Sequence, residues 1–450
     1  MSGSGTFAGE RVVVVGLGVA GRAAARALAE EGASVRVTEA RSDVEGVSEF
    51  RAMGVEVHVG GHLPEHLEDA TAVVASPGVP EHAAVLTWAA ERDIAVWSEL
   101  DVGARLCEVP YVAITGTNGK STTTKLVATM MQAAGLDAVA CGNIGHPFST
   151  AAREGHEALA VEASSFQLRF HHWVHPRVSV LLNVAPDHID WHGSMEGYAA
   201  SKARVYELQG RGDVHVGNAE DEPASRISRG APCPVVWFGL GSPAPGAVGY
   251  ADDRLVALLA EEVSLGRPGQ SSAGFRADAA AGAAAALSFG LAPEAVAEGL
   301  RRMRPLPHRG EEVARIGRVG FLDDSKATNV HAALNALAGK RDVVLIAGGV
   351  SKGADLSALI GAAPVLAGLV AIGDAGPELV ALFEGSVPVR RADTIEEAVR
   401  TAFELSSEEG TVLLAPACAS WDMFHDYAER GERFARAARA LRREAVRGSY

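Results

Sequence analysis

The stretch PYVAITGTNGKSTTT, residues 110–124, decides how this chain folds. Its apolar, β-prone run 111–115 predicts a buried strand, Gly116, Thr117, Asn118 and Gly119 a tight loop, and Lys120, Ser121 and Thr122 the first turn of a helix. That order makes an anion site. Glycines let a polyphosphate approach the backbone, the first helical N–H groups lack intrahelical partners, Lys120 can neutralise a terminal phosphate, and Ser121 or Thr122 can reach its Mg2+. The strict pattern G-x-x-x-x-G-K-[ST] would put its first glycine where Ile114 stands, and Gly116 occurs instead. A glycine turn that merely ends a strand is the plainer alternative. The Lys-Ser-Thr-Thr start favours phosphate binding over it.

Upstream, RVVVVGLGVAGRAAARALAEEG (11–32) runs from a valine strand through Gly16-x-Gly18-x-x-Gly21 into an alanine-rich helix that closes at Gly32. A second strand, 34–38, ends at Glu39. This is a dinucleotide fingerprint in strand-turn-helix-strand context, and it predicts a Rossmann-like start. A nicotinamide cofactor is the default ligand, and a different nucleotide is the rival. Strand 72–75 runs into Ser76-Pro77-Gly78, a turn at the carboxyl edge where such sheets bind ligands. His58, His62 and His66 stand four apart, but Gly60, Gly61 and Pro64 break any helix that would align them, so surface-loop histidines are expected rather than a metal site. A domain boundary is expected between Trp97 and Pro110.

Downstream, helix 121–134 is followed by strands 137–141, 158–162 and 178–184. They run into Gly142-Asn143-Ile144-Gly145, Ala163-Ser164-Ser165-Phe166-Gln167 and Pro186-Asp187-His188-Ile189-Asp190. Polar clusters at successive parallel strand ends should gather on one rim with Lys120. Glu162, Asp187, His188 and Asp190 are then candidate Mg2+ ligands or water holders, against helix caps as the plainer role. Helix 198–209 carries Lys202, which by spacing alone reads as solvated. Residues 239–249 read as loop and 278–287 as a closely packed alanine helix. Pro305-Leu306-Pro307-His308-Arg309 looks like a hinge. Beyond it, strands 319–322, 343–346, 369–372 and 411–414, with helix 395–405, predict another doubly wound parallel sheet. Asp324, Lys326, Thr328, Lys352 and Ser420 would stand on its rim, a set suited to a small dicarboxylate or a phosphate, with helix caps as the plainer role.

Composition narrows the class. A chain of 450 residues, 48% of them hydrophobic, suggests two to four domains with cores that need no disulfides. Its four cysteines form no C-x-x-C pair, which fits free thiols in a reducing compartment. The polar start MSGSGTFAGER lacks a basic-then-apolar leader, and no apolar run is long enough to span a bilayer, so the cytoplasm is expected. A net charge of −15 argues against nucleic acid and membrane partners but not against small anions.

Three α/β units, with a phosphate loop in the middle one and lysines in the last, suit an ATP-driven joining of two substrates. Gly116-Thr117-Asn118-Gly119-Lys120-Ser121, Glu162-Ala163-Ser164-Ser165-Phe166-Gln167-Leu168, residues 183–190, Pro307-His308-Arg309, Asp324-Ser325-Lys326-Ala327-Thr328-Asn329 and Pro416-Ala417-Cys418-Ala419-Ser420 resemble the Mur ligases, colinearly over nearly the whole chain. The resemblance implies three domains: 1–98, Rossmann-like, for a UDP substrate; 99–305, a P-loop-type ATPase with a mostly parallel sheet; and 306–450, Rossmann-like, for the incoming amino acid. It implies a monomeric enzyme of peptidoglycan precursor synthesis that adds D-glutamate to UDP-N-acetylmuramoyl-L-alanine through an acyl phosphate. ATP, two Mg2+ ions and a carbamylated Lys202 would serve as cofactors.

By matching positions, Gly18, Val19, Ala20, Glu39, Arg41, Ser76, Asn143 and His188 would hold the UDP substrate. Gly116 through Thr122, Asn143, Glu162, Arg309 and Asp324 would hold ATP, that loop being Gly116, Thr117, Asn118, Gly119, Lys120, Ser121 and Thr122. Ser121, Glu162, His188 and Lys202 would hold metal, and Lys120, His188 and Lys202 would be catalytic. Lys326, Thr328, Lys352, Ser420, Trp421 and Tyr427 would form the glutamate pocket. One departure stands out: the family's His-Asn-x-x-Asn stretch, which helps hold adenine, corresponds to Ala277-Asp278-Ala279-Ala280-Ala281. The alternatives are a ligase of the same fold adding another amino acid such as L-glutamate, a binding protein that has lost catalysis, and a nicotinamide-dependent oxidoreductase. The last would leave the phosphate loop and both lysine rims without a task.

Overall fold

The valine run forms its strand because both faces of a parallel sheet are covered, so the strand needs no polar side; Val12 to Val15 are each at most 2% exposed. The computed structural model describes residues 5–269, 272–304 and 306–447. Residues 1–4 of the polar start and Pro305 of the expected hinge lie outside the described residues. Two compact units divide the chain. One carries the two N-terminal sheets, and the other comprises Ala185–Asp190, Ser272–Gly274 and the chain from Arg304 onward.

The first unit holds two sheets. Strands β1 (Arg11–Val15), β2 (Ser34–Glu39), β3 (Glu56–Val59), β4 (Ala72–Ala75) and β5 (Ala95–Trp97) pair in parallel in the order β3-β2-β1-β4-β5. The order reverses between β1 and β4, which puts the glycine loop and the Ser76 turn at the switch point where such sheets open a ligand crevice. The second sheet contains β6 (Tyr111–Thr115), β7 (Ala138–Gly142), β8 (Ala158–Glu162), β9 (Val178–Leu181), β10 (Val214–Asn218), β11 (Val235–Phe238), β12 (Ala247–Ala251), β13 (Arg254–Leu258) and β14 (Glu262–Gly266). Its order is β14-β13-β12-β11-β10-β9-β6-β8-β7, parallel except along β12-β13-β14. Helices Lys120–Ala133, Ala273–Phe289 and Pro293–Arg302 bury its main core. Small residues permit their close approach: a Cβ on Gly299 would stand 2.6 Å from Met130 Cγ.

The second unit carries β15 (Glu311–Ile316), β16 (Val319–Asp323), β17 (Val343–Gly348), β18 (Leu366–Ile372), β19 (Val389–Arg391) and β20 (Thr411–Leu414). They pair in the order β15-β16-β20-β17-β18-β19, with only β15-β16 antiparallel.

Several local expectations are corrected. The strand expected over 178–184 leaves the sheet after Leu181 because Asn183 turns to clasp the phosphate loop. The helix expected over 198–209 spans Met195–Ala203, with Ser194 Oγ accepting the Gly197 N–H, and continues as a 3-10 turn, Arg204–Tyr206. Part of the loop expected at 239–249 is strand β12. Among the three histidines, His66 is buried, stacks on His58 at 4.2 Å and shares the Thr38 hydroxyl with His62, since that hydroxyl offers both rings a partner inside the domain.

Candidate functional site

In the first unit the phosphate loop is held from three sides. Gly119 adopts φ +88°, and a Cβ there would stand 2.1 Å from Asp278 Oδ1, so both backbone and space require glycine. Asn183 clasps the loop: its carbonyl accepts the Thr117 N–H at 3.0 Å, its Oδ1 accepts the Asn118 N–H at 2.9 Å, and its Nδ2 donates to Asn118 O at 3.0 Å. Lys120 Nζ donates to Gly116 O at 2.8 Å and Thr117 O at 2.9 Å. Lys202 is corrected from solvated to buried, 1% exposed; its Nζ donates to the same Gly116 O at 2.7 Å and lies 4.4 Å over the Tyr198 ring.

Glu162 ends β8 at 2% exposure, with Oε1 accepting from Asn143 Nδ2 at 3.1 Å and Oε2 buried without a hydrogen-bond partner. An unpartnered buried carboxylate oxygen is costly unless something positive meets it. Glu162 therefore fits a cation, and Ser121 stands half-buried in the first turn of the helix behind the phosphate loop. Among the described residues no three His, Cys, Asp or Glu side chains form a metal cage. Mg2+ needs none, because it keeps waters and takes phosphate oxygens.

At the β1–β4 switch point, Glu39 is 5% exposed and binds its own neighbourhood. Its Oε2 accepts the Leu17 N–H at 2.7 Å, and its Oε1 accepts Arg41 N–H at 3.0 Å and Arg41 Nε at 3.1 Å. Burial alone would raise the Glu39 carboxyl; Arg41 and the two amides outweigh it and hold it at about 2. The carboxylate that would read a dinucleotide ribose is thus engaged in bracing the glycine loop. Gly18 and Val19 are exposed, Ala20 is half-buried, and Ser76 Oγ donates to Gly16 O at 3.2 Å.

In the second unit Asp187 binds Lys352 Nζ at 2.5 Å and Asn329 Nδ2 at 3.1 Å. Burial raises its carboxyl, and the His188 and Lys352 charges with the two bonds bring it below the usual value. His188 and Lys352 have φ +55° and +54°, unusual for non-glycine residues and typical of functional loops. Asp324 is pushed up to about 7, by burial first, then by Asp323, against the opposing pull of Arg309. Lys326 Nζ lies 3.7 Å over the Tyr427 ring; Thr328 is half-buried, Ser420 buried and Trp421 exposed.

Sequence reasoning missed the buried clamp beneath these loops. Arg430, fully buried, donates to Ser325 Oγ at 3.0 Å, Ser325 O at 2.9 Å and Cys418 O at 3.1 Å, joining the 324–329 loop to the 416–420 loop. A signal was present: Arg430 stands four residues before Phe434 and eight before Ala438, on the apolar stripe of its helix, where an arginine needs a buried task.

A doubly wound unit, a glycine-Lys-Ser phosphate loop and a second α/β unit with a lysine rim define a nucleotide-dependent α/β enzyme. The chain belongs to the Mur ligase family. It matches the family's models for the MurD-like N-terminal domain over residues 10–98, the middle domain over 114–262 and the glutamate ligase domain over 308–418. It is 42% identical to the UDP-N-acetylmuramoylalanine–D-glutamate ligase of Frankia casuarinae, with 97% of this chain and 95% of that protein covered. It is also 42% identical to the protein of the same name from Thermobifida fusca, covering 96% and 99%. Among solved structures, the fold is similar to a pseudomurein peptide ligase type C from Methanothermus fervidus, with TM-score 0.59, 19% identity and 90% and 96% coverage. It is likewise similar to the UDP-N-acetylmuramate-alanine ligase of Thermotoga maritima, with TM-score 0.57, 17% identity and 96% and 99% coverage.

Proposed function

We propose that this protein joins D-glutamate to the alanyl carboxylate of UDP-N-acetylmuramoyl-L-alanine at the expense of ATP, as a cytoplasmic monomer in peptidoglycan precursor synthesis. The observation that carries the reading is similarity along nearly the whole chain to D-glutamate ligases, with 42% identity over 97% of its length. Residues 1–98 take the UDP substrate on Gly18, Val19, Ala20, Glu39, Arg41 and Ser76. Residues 99–305 take ATP on the 116–122 loop, and 306–450 take the amino acid on Lys326, Thr328, Lys352 and Ser420.

The substrate carboxylate attacks the γ-phosphate of ATP, giving an acyl phosphate and ADP. The amine of D-glutamate then attacks the acyl carbon, and phosphate leaves. Both partners in the first step are anions, so their repulsion dominates the barrier. Lys120 offsets it at the phosphates, together with the N–H groups of the loop. Ser121, Glu162, His188 and Lys202 would hold two Mg2+ ions, whose charge would offset more of the phosphoryl charge. Carbamylation of Lys202 is part of the reading. Two ammonium heads now share Gly116 O, and converting one to a carbamate replaces repulsion with attraction.

Phosphate release tests the proposal, measured with ATP, Mg2+ and UDP-N-acetylmuramoyl-L-alanine plus D-glutamate, L-glutamate or neither. Release only with D-glutamate is expected. Release with L-glutamate would make it a ligase of different specificity, and no release with either would favour a binding protein.

A further inference from the structure

Trp191 makes a contact that the chemistry above does not use. Its indole Nε1 donates to Val79 O at 3.1 Å across 112 residues of sequence. Val79 closes the turn that begins at Ser76, its N–H donating to Ser76 O at 2.9 Å, and Ser76 Oγ in turn bonds Gly16 O of the glycine loop. The indole is held edge-on by Phe166 at 4.9 Å and by Phe170 at 5.9 Å. Beside it, His192 stacks on Phe166 with 7° between planes and bonds Ser165 Oγ at 3.0 Å and Ser201 Oγ at 3.4 Å. Ser201 precedes Lys202, whose Nζ bonds the phosphate loop at Gly116 O. One line of contacts therefore runs from the glycine loop through Ser76, Val79, Trp191 and His192 to Lys202.

The geometry points to Trp191 as a positioning residue that fixes the Ser76 turn at a set distance from the phosphate loop. This rests on the reading that the Ser76 turn holds the UDP substrate. The donor is a single N–H on a half-buried ring whose packing already fixes its direction, so little ordering entropy remains to be lost when the bond forms. What the bond adds is register. A nucleotide gripped at the turn presents its far carboxylate to the ATP site only if the two loops keep their spacing, so a turn left loose must be ordered again at the expense of substrate binding energy, and the loss shows in KM for that substrate.

The test is a steady-state comparison of Trp191→Phe with wild type and Ser76→Ala. Phenylalanine keeps the aromatic contacts and deletes only the donor. Trp191→Phe is expected to raise KM for UDP-N-acetylmuramoyl-L-alanine about fivefold or more, leaving KM for ATP and D-glutamate and the melting temperature unchanged. Phe166→Leu, which loosens the ring beneath the indole, should shift the same constant in the same direction and serves if Trp191→Phe folds poorly. If Ser76→Ala raises that KM while both other variants leave it at the wild-type value, the positioning role is overturned. A parallel rise in all three KM values with a lowered melting temperature overturns it too, as general loosening. If Ser76→Ala itself leaves the constant unchanged, the underlying assignment of the turn has failed instead.

Discussion

Lys202 Nζ lies 2.7 Å from Gly116 O, the same carbonyl oxygen that Lys120 Nζ approaches to 2.8 Å. A backbone carbonyl can accept two donors, but two ammonium groups sharing it repel across a distance too short for salt to screen. The arrangement distinguishes the two lysines. Lys120 is half-buried beside the loop it serves, whereas Lys202 is enclosed and cannot turn to solvent.

The proposed carbamate on Lys202 predicts a dependence on CO2. In buffer stripped of CO2 the wild-type enzyme is expected to lose activity and to regain it on adding bicarbonate, while Lys202→Met is inactive in both. Lys120→Ala should lower turnover about a hundredfold or more, the scale of one lost charge stabiliser, with an unchanged melting temperature and with the bicarbonate response of the remaining activity retained, because Lys202 is intact. Phosphate release at controlled CO2 checks all three, and a wild type indifferent to bicarbonate would remove the carbamate from the mechanism.

Gly119 carries the loop's sharpest steric demand. Gly119→Ala places a Cβ against Asp278 Oδ1 and asks an L-residue to hold φ +88°, a conformation that costs roughly 1–2 kcal/mol. KM for ATP is expected to rise about tenfold or more. The double variant Gly119→Ala/Asp278→Ala removes the collision but not the backbone cost, so it should recover part of the loss. Equal ATP constants in the single and double variants would show that the carboxylate does not crowd the loop.

Most strand ends were legible because parallel strands buried on both faces read as continuous apolar runs; β4, β6, β8 and β20 lie where the valine-, isoleucine-, leucine- and alanine-rich runs predict them. Strands β10 to β14, which complete one side of the second sheet, were not, since glycines and polar residues interrupt stretches such as VHVGN, AVGYA and EVSLG and their pairing depends on register with neighbours. At the site, the loop between strand and helix was legible from the glycine turn together with the Lys-Ser-Thr-Thr start behind it, although the glycine spacing departs from the strict pattern at Ile114. Lys202 was not: a lysine's burial is decided by what packs around its helix, here Tyr198 and the Gly116 turn, and spacing within the helix carries no trace of it. Asn183 was similarly hidden, because its strand and its loop-clasping role look alike until the chain is seen to leave the sheet.

Glu39 makes the stability of the N-terminal sheet pH-dependent in a definite direction. Its carboxyl falls from the ordinary 4.5 to about 2 on folding. Between those values the unfolded chain binds more protons than the folded one, so stability rises with pH through the window. Glu39→Gln should therefore lower the denaturation midpoint above pH 4.5, and its deficit should shrink as pH falls toward 2. Paired urea melts at pH 7, 4 and 3 check this. A deficit that is constant with pH would mean the side chain acts by shape rather than charge.

Arg430 poses the last test, because it touches no proposed ligand yet ties together two loops that carry proposed ones. Its guanidinium is fully buried, and burial lowers its proton affinity to about 10, still far above neutrality, so it remains a cation satisfied by Ser325 Oγ, Ser325 O and Cys418 O. Each bond from a charged donor is worth roughly 1.5–3 kcal/mol. Arg430→Met, similar in length but without donors, leaves buried carbonyls unpaired and is expected to destabilise the second unit by about 3 kcal/mol or more. Arg430→Lys restores the charge but lacks the planar fork, so it should recover only part. Below the melting transition, KM for D-glutamate should rise in both variants, more in the methionine variant, because Lys326 and Thr328 sit on one clamped loop and Ser420 at the end of the other. Thermal melts with D-glutamate titrations separate the two effects. A methionine variant with wild-type KM but a lower melting temperature would confine Arg430 to stability and leave the pocket shaped by other contacts.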